Sequence, residues 1–244
     1  MKSKAPSSLT RAFSLVELLV VISVIAIIAG FAVPAVTTMI RGSQLTQGSQ
    51  MITDQLALAR QTALSRNRSI EVRFYKFGDP ETPGETPDNP ETGFFRALQT
   101  FEILENGGAL PMGPIQRLPA NVIMNEKALS TMLDEGERTR IKESKLSPAD
   151  PAMPDSVVGK HYEYVALRFL PDGSTDLPAT GAAGGGESKA TKGDAWYITM
   201  HGTHVKKSGT ETDGQTSTLP DNYFTLQIDP VTGSTRAYRP NLGN

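Results

Sequence analysis

From Leu18 to Val36 the chain runs for nineteen residues without a charge. At the helical rise of about 1.5 Å per residue this run spans about 28 Å, close to the roughly 30 Å of a bilayer's hydrocarbon core. Lys2, Lys4 and Arg11 precede it with no acidic residue among them. The positive-inside rule therefore predicts a cytoplasmic N-terminus, a single pass through a membrane and an extracytoplasmic remainder. Two simpler segments have a similar outline. A cleavable secretory signal has an apolar middle of about 7–15 residues ending at a small-x-small site; here the run is longer, and Ala35 is followed by Val, Thr, Thr and Met. A plain anchor accounts for the length but not for Glu17.

Glu17 stands one residue before the uncharged run, after Phe13-Ser14-Leu15-Val16. A charge at mid-bilayer costs about 2.5–3.5 kcal/mol on insertion scales, and an ionisable group in such a segment points to a function and a partner. The next cation along the chain is Arg41, so the partner is expected from elsewhere.

The stretch Leu9-Thr10-Arg11-Ala12-Phe13-Ser14-Leu15-Val16-Glu17-Leu18-Leu19-Val20-Val21-Ile22 resembles the N-terminal signature of type IV pilins and the pseudopilins of type II secretion. The resemblance implies a basic leader, residues 1–12, cut between Ala12 and Phe13, with methylation of the new Phe13 amine. It places Glu17 fifth and Pro34 twenty-second in the mature chain, where many pilins have Glu and Pro. Ala12 stands where the family usually has Gly. The resemblance also implies the partners: prepilin peptidase, other pilin or pseudopilin subunits, and an inner-membrane assembly platform with its ATPase. It supplies a reason for the spacing, since Glu17 of one subunit can pair with the freed Phe13 amine of a neighbour inside an apolar bundle.

Residues 13–36 are thus expected to form the transmembrane and assembly helix, and residues 37–66 its amphipathic continuation. In the latter, Leu45, Gly48, Ile52, Leu56, Ala59 and Ala63 recur at three- and four-residue steps, one stripe for a core. A single helix over 13–65 would measure about 80 Å. Pro34, with Gly30 and Gly42, is a bend point on one reading. On the other, the helix ends at Pro34 and a second begins after Gly42.

From residue 67 onward an extracytoplasmic head is expected. Ile70, Val72 and Phe74 alternate with Arg73 and Tyr75, and similar runs occur at Phe95–Leu104, Asn121–Met124, Tyr164–Leu170, Trp196–Met200 and Tyr223–Ile228. Pro171-Asp172-Gly173-Ser174 and Asp229-Pro230-Val231-Thr232-Gly233 predict reversals and two C-terminal hairpins. The expected class is α+β: a long N-terminal helix, membrane-spanning in its first half, packed on an antiparallel sheet. Segments 78–93, 134–156 and 178–194 are rich in charge, Pro or Gly and lack an apolar stripe, as long loops do. The segments Phe169-Leu170-Pro171-Asp172-Gly173-Ser174 and Leu226-Gln227-Ile228-Asp229-Pro230-Val231-Thr232-Gly233 also resemble those of H-type minor pseudopilins.

Composition narrows the function classes. With 24 Lys+Arg against 26 Asp+Glu the net charge is −2, and without residues 1–12 it becomes −5, which argues against a general nucleic-acid binder. The absence of cysteine excludes disulfides and thiolate chemistry. His201 and His204 are three apart, a metal spacing only on a helix, and His161 has no sequence reason to be near. Asp79, Glu81, Glu85, Asp88 and Glu91 offer oxygens for Ca²⁺ without EF-hand spacing. Gly184-Gly185-Gly186 lacks a phosphate-loop ending, no nucleophile elbow is present, and Asn67-Arg68-Ser69 falls at a helix end. Trp196 beside Tyr197 suits sheet packing better than a binding platform. No cofactor, metal or catalytic residue is expected. The leading reading is a non-enzymatic pilin-like filament subunit; the alternative is a permanently anchored binding or sensor domain, and a secreted hydrolase has no motif.

Overall fold

The computed structural model describes residues 14–79, 85, 93–126, 130–134, 142–145, 162–178, 190–191, 193–203 and 222–240, the side chains of 31–38 and 142–145 excepted. Helix α1 covers Leu15–Arg66. Ten strands follow among the described residues: β1 Ile70–Phe77, β2 Phe94–Ile103, β3 Ala109–Pro111, β4 Gln116–Arg117, β5 Val122–Asn125, β6 Lys142–Lys145, β7 Tyr162–Phe169, β8 Trp196–Gly202, β9 Tyr223–Ile228 and β10 Thr235–Tyr238. The chain divides into two compact units, residues 1–41 and 42–244.

In the first unit the helical backbone continues through Pro34, so the reading in which the helix stops there does not hold. A proline inside a helix removes one amide donor without ending the helix when neighbouring turns carry it.

In the second unit the expected stripe is the buried face of α1. Leu45, Ile52, Leu56, Ala59 and Ala63 are each at most 2% exposed and share one core with sheet side chains. The helix ends where Asn67 takes a left-handed φ of 51°, a conformation that asparagine tolerates at a C-terminal cap.

The sheet is antiparallel, in the order β10-β9-β8-β5-β2-β1-β7-β6, with β3 and β4 also paired to β2. Alternation sorts β1 by face. Ile70, Val72 and Phe74 join the α1 core, while Tyr75 and Phe77 join a second cluster with Ala97, Phe101, Tyr162 and Tyr164. The runs expected as strands are β1, β2, β5, β7, β8 and β9. Short β3 and β4 escape a pattern search because two or three residues carry too few periods to register, and β10, Thr235–Tyr238, has no buried side chain to mark a face. Strand β6 lies inside 134–156, expected as loop; backbone pairing with β7 makes it a strand without an apolar alternation. The turn at Asp229–Gly233 joins β9 to β10 as a hairpin, whereas the turn after β7 closes only the bridge Phe169↔Thr175. Most of 78–93 and 178–194 lies outside the described residues.

One register shift takes a charged residue out of the ladder. The β1–β2 ladder passes from Tyr75↔Ala97 to Lys76↔Phe95, so Arg96 is skipped. Such a bulge re-aims the extra residue.

Candidate functional site

Ala12 and Phe13 lie outside the described residues, and the description starts just after them. Ser14 caps α1, its carbonyl accepting the Leu18 amide at 3.1 Å, and Glu17 occupies the first turn. A carboxylate there is favoured by the partial positive charge of the helix N-terminus. Glu17 is exposed. Around it every residue from Ser14 to Gly30 is exposed on all sides of the helix, including Leu15 at 81%, Val16 at 68% and Ile27 and Ile28 at 61%. The one hydroxyl within this stretch of the helix, Ser23 Oγ, donates to the Leu19 carbonyl at 2.8 Å, which hides its polarity from the surroundings. A helix apolar on every side is suited to burial in lipid or among other helices. No helix among the described residues is long and apolar enough to cross a membrane. The apolar stretch with described side chains runs from Leu15 to Gly30, and the rest of the uncharged run falls on 31–38.

The head holds its charges in pairs. Arg96, freed from the ladder by the bulge, donates through Nη1 to Asp79 Oδ2 at 2.9 Å and through Nη2 to Glu85 Oε1. Glu85 Oε2 also accepts the Asp79 amide at 2.9 Å. Two of the acids offered by sequence as calcium ligands therefore face a guanidinium. No cluster of three or more metal-ligating side chains occurs among the described residues. On the sheet face away from α1, Glu71 accepts from Arg73 at 2.6 Å and from Arg168 at 2.8 Å. The Arg73 guanidinium lies 4.1 Å from the Phe101 ring centre and 4.7 Å from that of Tyr164, so both rings and a carboxylate replace its water.

Burial pushes the Glu85 carboxyl above its ordinary value of 4.5, against the Asp79 amide and Arg96, which both lower it. A carboxyl raised on folding binds its proton more tightly in the native state, so its contribution to stability is fully present below the ordinary value and declines as pH rises through the raised one. Glu85→Gln should flatten this decline. Urea midpoints measured from pH 4 upward test it, and an unchanged slope would exclude Glu85 as its source.

His201 on β8 is buried, with Nδ1 against the Gly202 carbonyl at 2.9 Å and Nε2 against the Asn125 amide at 3.1 Å. Both ring nitrogens are occupied within the sheet, and His161 and His204 lie outside the described residues. Trp196 is 1% exposed and its Nε1 donates to the Pro178 carbonyl at 2.9 Å, a core residue with its polar atom satisfied.

The prokaryotic N-terminal methylation motif matches residues 8–33, which bracket Ala12, Phe13 and Glu17. No curated protein matches the chain. Among solved structures, the minor pseudopilin EpsH of the type 2 secretion system of Vibrio cholerae is similar at 10% identity, with 81% of this chain and 98% of that chain covered and a TM-score of 0.39. The type IV minor pilin FimU of Pseudomonas aeruginosa is similar at 13% identity, with 82% and 94% covered and a TM-score of 0.38. The chain carries a prepilin-type N-terminus followed by an α+β head, and the motif supports its resemblance to the type IV pilin and pseudopilin superfamily.

Proposed function

We propose that this protein is a structural, non-enzymatic pilin-like subunit that the membrane stores by its N-terminal helix until it is assembled into a type IV pilus or a type II secretion pseudopilus. Prepilin peptidase cuts between Ala12 and Phe13 and the Phe13 amine is methylated. The platform and its ATPase then move the subunit into the filament, with the head on the extracytoplasmic side. One observation carries this reading: a carboxylate in the first turn of a helix that is apolar on every side, inside a methylation motif. In a bundle of such helices Glu17 is too costly to leave alone, and a neighbour's terminal amine satisfies both charges at once.

The test uses the full chain produced with a prepilin peptidase and its assembly machinery. The mature product should begin at methyl-Phe13. Glu17→Ala should enter the membrane normally but be incorporated at least about a hundredfold less, because the neighbour's amine left buried without its partner costs about 3–5 kcal/mol. Filaments formed normally by that variant, or mature protein that still begins at Met1, would leave the anchored binding domain as the better reading.

A further inference from the structure

Strands β7 and β9 are far apart in the sheet, with β1, β2, β5 and β8 between them. The turns that follow these two strands nevertheless touch. The Thr175 amide and its Oγ1 both donate to the Pro230 carbonyl, at 2.9 and 3.0 Å. The sheet therefore curls until its flanks meet. Arg60 of α1 lies at the meeting point, where its Nε donates to the Thr232 carbonyl at 2.7 Å and to the Gly173 carbonyl at 3.3 Å. One N–H thus holds a carbonyl from each turn.

Both turns are otherwise self-contained. In the first, the Gly173 amide donates to Leu170 and the Leu170 amide to Ser174, at 2.9 and 2.8 Å, while Asp172 Oδ1 accepts from the Ser174 amide and hydroxyl. In the second, the Gly233 amide donates to Asp229 and the Asp229 amide to Ser234, at 2.8 and 2.9 Å, while Asp229 Oδ1 accepts from the Val231 and Thr232 amides. Such Asx turns need nothing from the helix to form. Thr175 joins them to each other, and Arg60 joins both to the helix.

We infer that Arg60 is a clasp which fastens the two flanks of the curled sheet to α1, so that the turns at 170–175 and 229–234 open as one unit and their order reports the position of the helix at Arg60. One N–H reaches both carbonyls, at 2.7 and 3.3 Å, only while α1 holds Arg60 between the two turns. A small rotation or withdrawal of α1 at this point releases both turns while the interior strands stay paired. A helix engaged by neighbours would thereby influence the β9–β10 hairpin and its exposed strand β10, a device that is independent of whether Glu17 drives assembly.

Hydrogen exchange on the full chain in detergent tests this. Arg60→Ala should speed exchange of the Gly173, Thr175, Asp229 and Gly233 amides together, by about tenfold or more, as expected for losing a charge-assisted hydrogen bond. The amides of Val72 and Leu98 should exchange as before. Arg60→Lys, which keeps the charge but lacks the Nε–H that lies between the two carbonyls, should speed the same four amides to a smaller extent and keeps the test open if Arg60→Ala fails to fold. Acceleration confined to one turn, or no change in either variant, would overturn the clasp.

Discussion

Gly233→Ala should destabilise the head by about 4 kcal/mol, among the largest effects of any single methyl group here. Two causes add. Gly233 has φ +65°, a left-handed conformation that costs an L-residue about 1–2 kcal/mol. A Cβ there would also stand 2.3 Å from the Gly173 carbonyl oxygen, a backbone atom of the opposing turn, and 3.2 Å from Arg60 Cδ and Phe169 Cδ1. The clash cannot be relieved by a rotamer change; the two flanks must separate. Gly107 provides the control. Its φ is +80°, yet no atom lies within 4 Å of its ideal Cβ, so Gly107→Ala should show the conformational cost alone. Urea midpoints of both variants separate the terms, and equal losses would mean that the close approach of the turns contributes nothing.

The second large effect concerns Lys76 and Glu126. Lys76 Nζ stands 2.5 Å from Glu126 Oε1, with the two side chains 6% and 8% exposed. Alternation along β1 places Lys76 on the face of Phe74, beside the apolar core. A pair so placed offers little net stability compared with apolar residues of similar volume, because the loss of water offsets the attraction. Breaking it is another matter. Lys76→Met leaves the Glu126 carboxylate buried without its ammonium and should cost about 3–5 kcal/mol. Adding Glu126→Leu to Lys76→Met should recover most of that loss. A double-mutant cycle by urea unfolding checks both; a double variant no more stable than the single one would show that Glu126 is held by something other than Lys76.

The parts of this protein legible from sequence are those whose pattern repeats over a short stretch. Six apolar positions of the 45–63 segment match the buried side of α1, and the short runs read as strands locate β1, β2, β5, β7, β8 and β9. Asp and Gly in the two turn segments mark reversals that the structure contains, although the first closes only a single bridge. The uncharged run and the carboxylate ahead of it are equally local, and they are why the N-terminus could be interpreted at all.

The head's polar architecture was not legible in that way. Glu85 belongs to a Pro-rich acidic segment that looks entirely solvated by composition, yet it folds onto Arg96, and Arg96 is available because a bulge removed it from a ladder. The nearest signal was a lone arginine in an apolar strand, which any exposed strand could also show. Strand β6 has no apolar alternation and gains its identity from pairing with β7.

By itself, the sequence determined the helix, the faces of helix and strands and the N-terminal methylation motif, because periodicity and a short motif need only neighbours along the chain. The tertiary structure alone decided which charges neutralise one another and that the turns following β7 and β9, strands well separated in the sheet, meet at Arg60. Those outcomes depend on strand order, register and curvature, which bring residues as far apart as Arg60 and Thr232 within 2.7 Å and which no local pattern encodes.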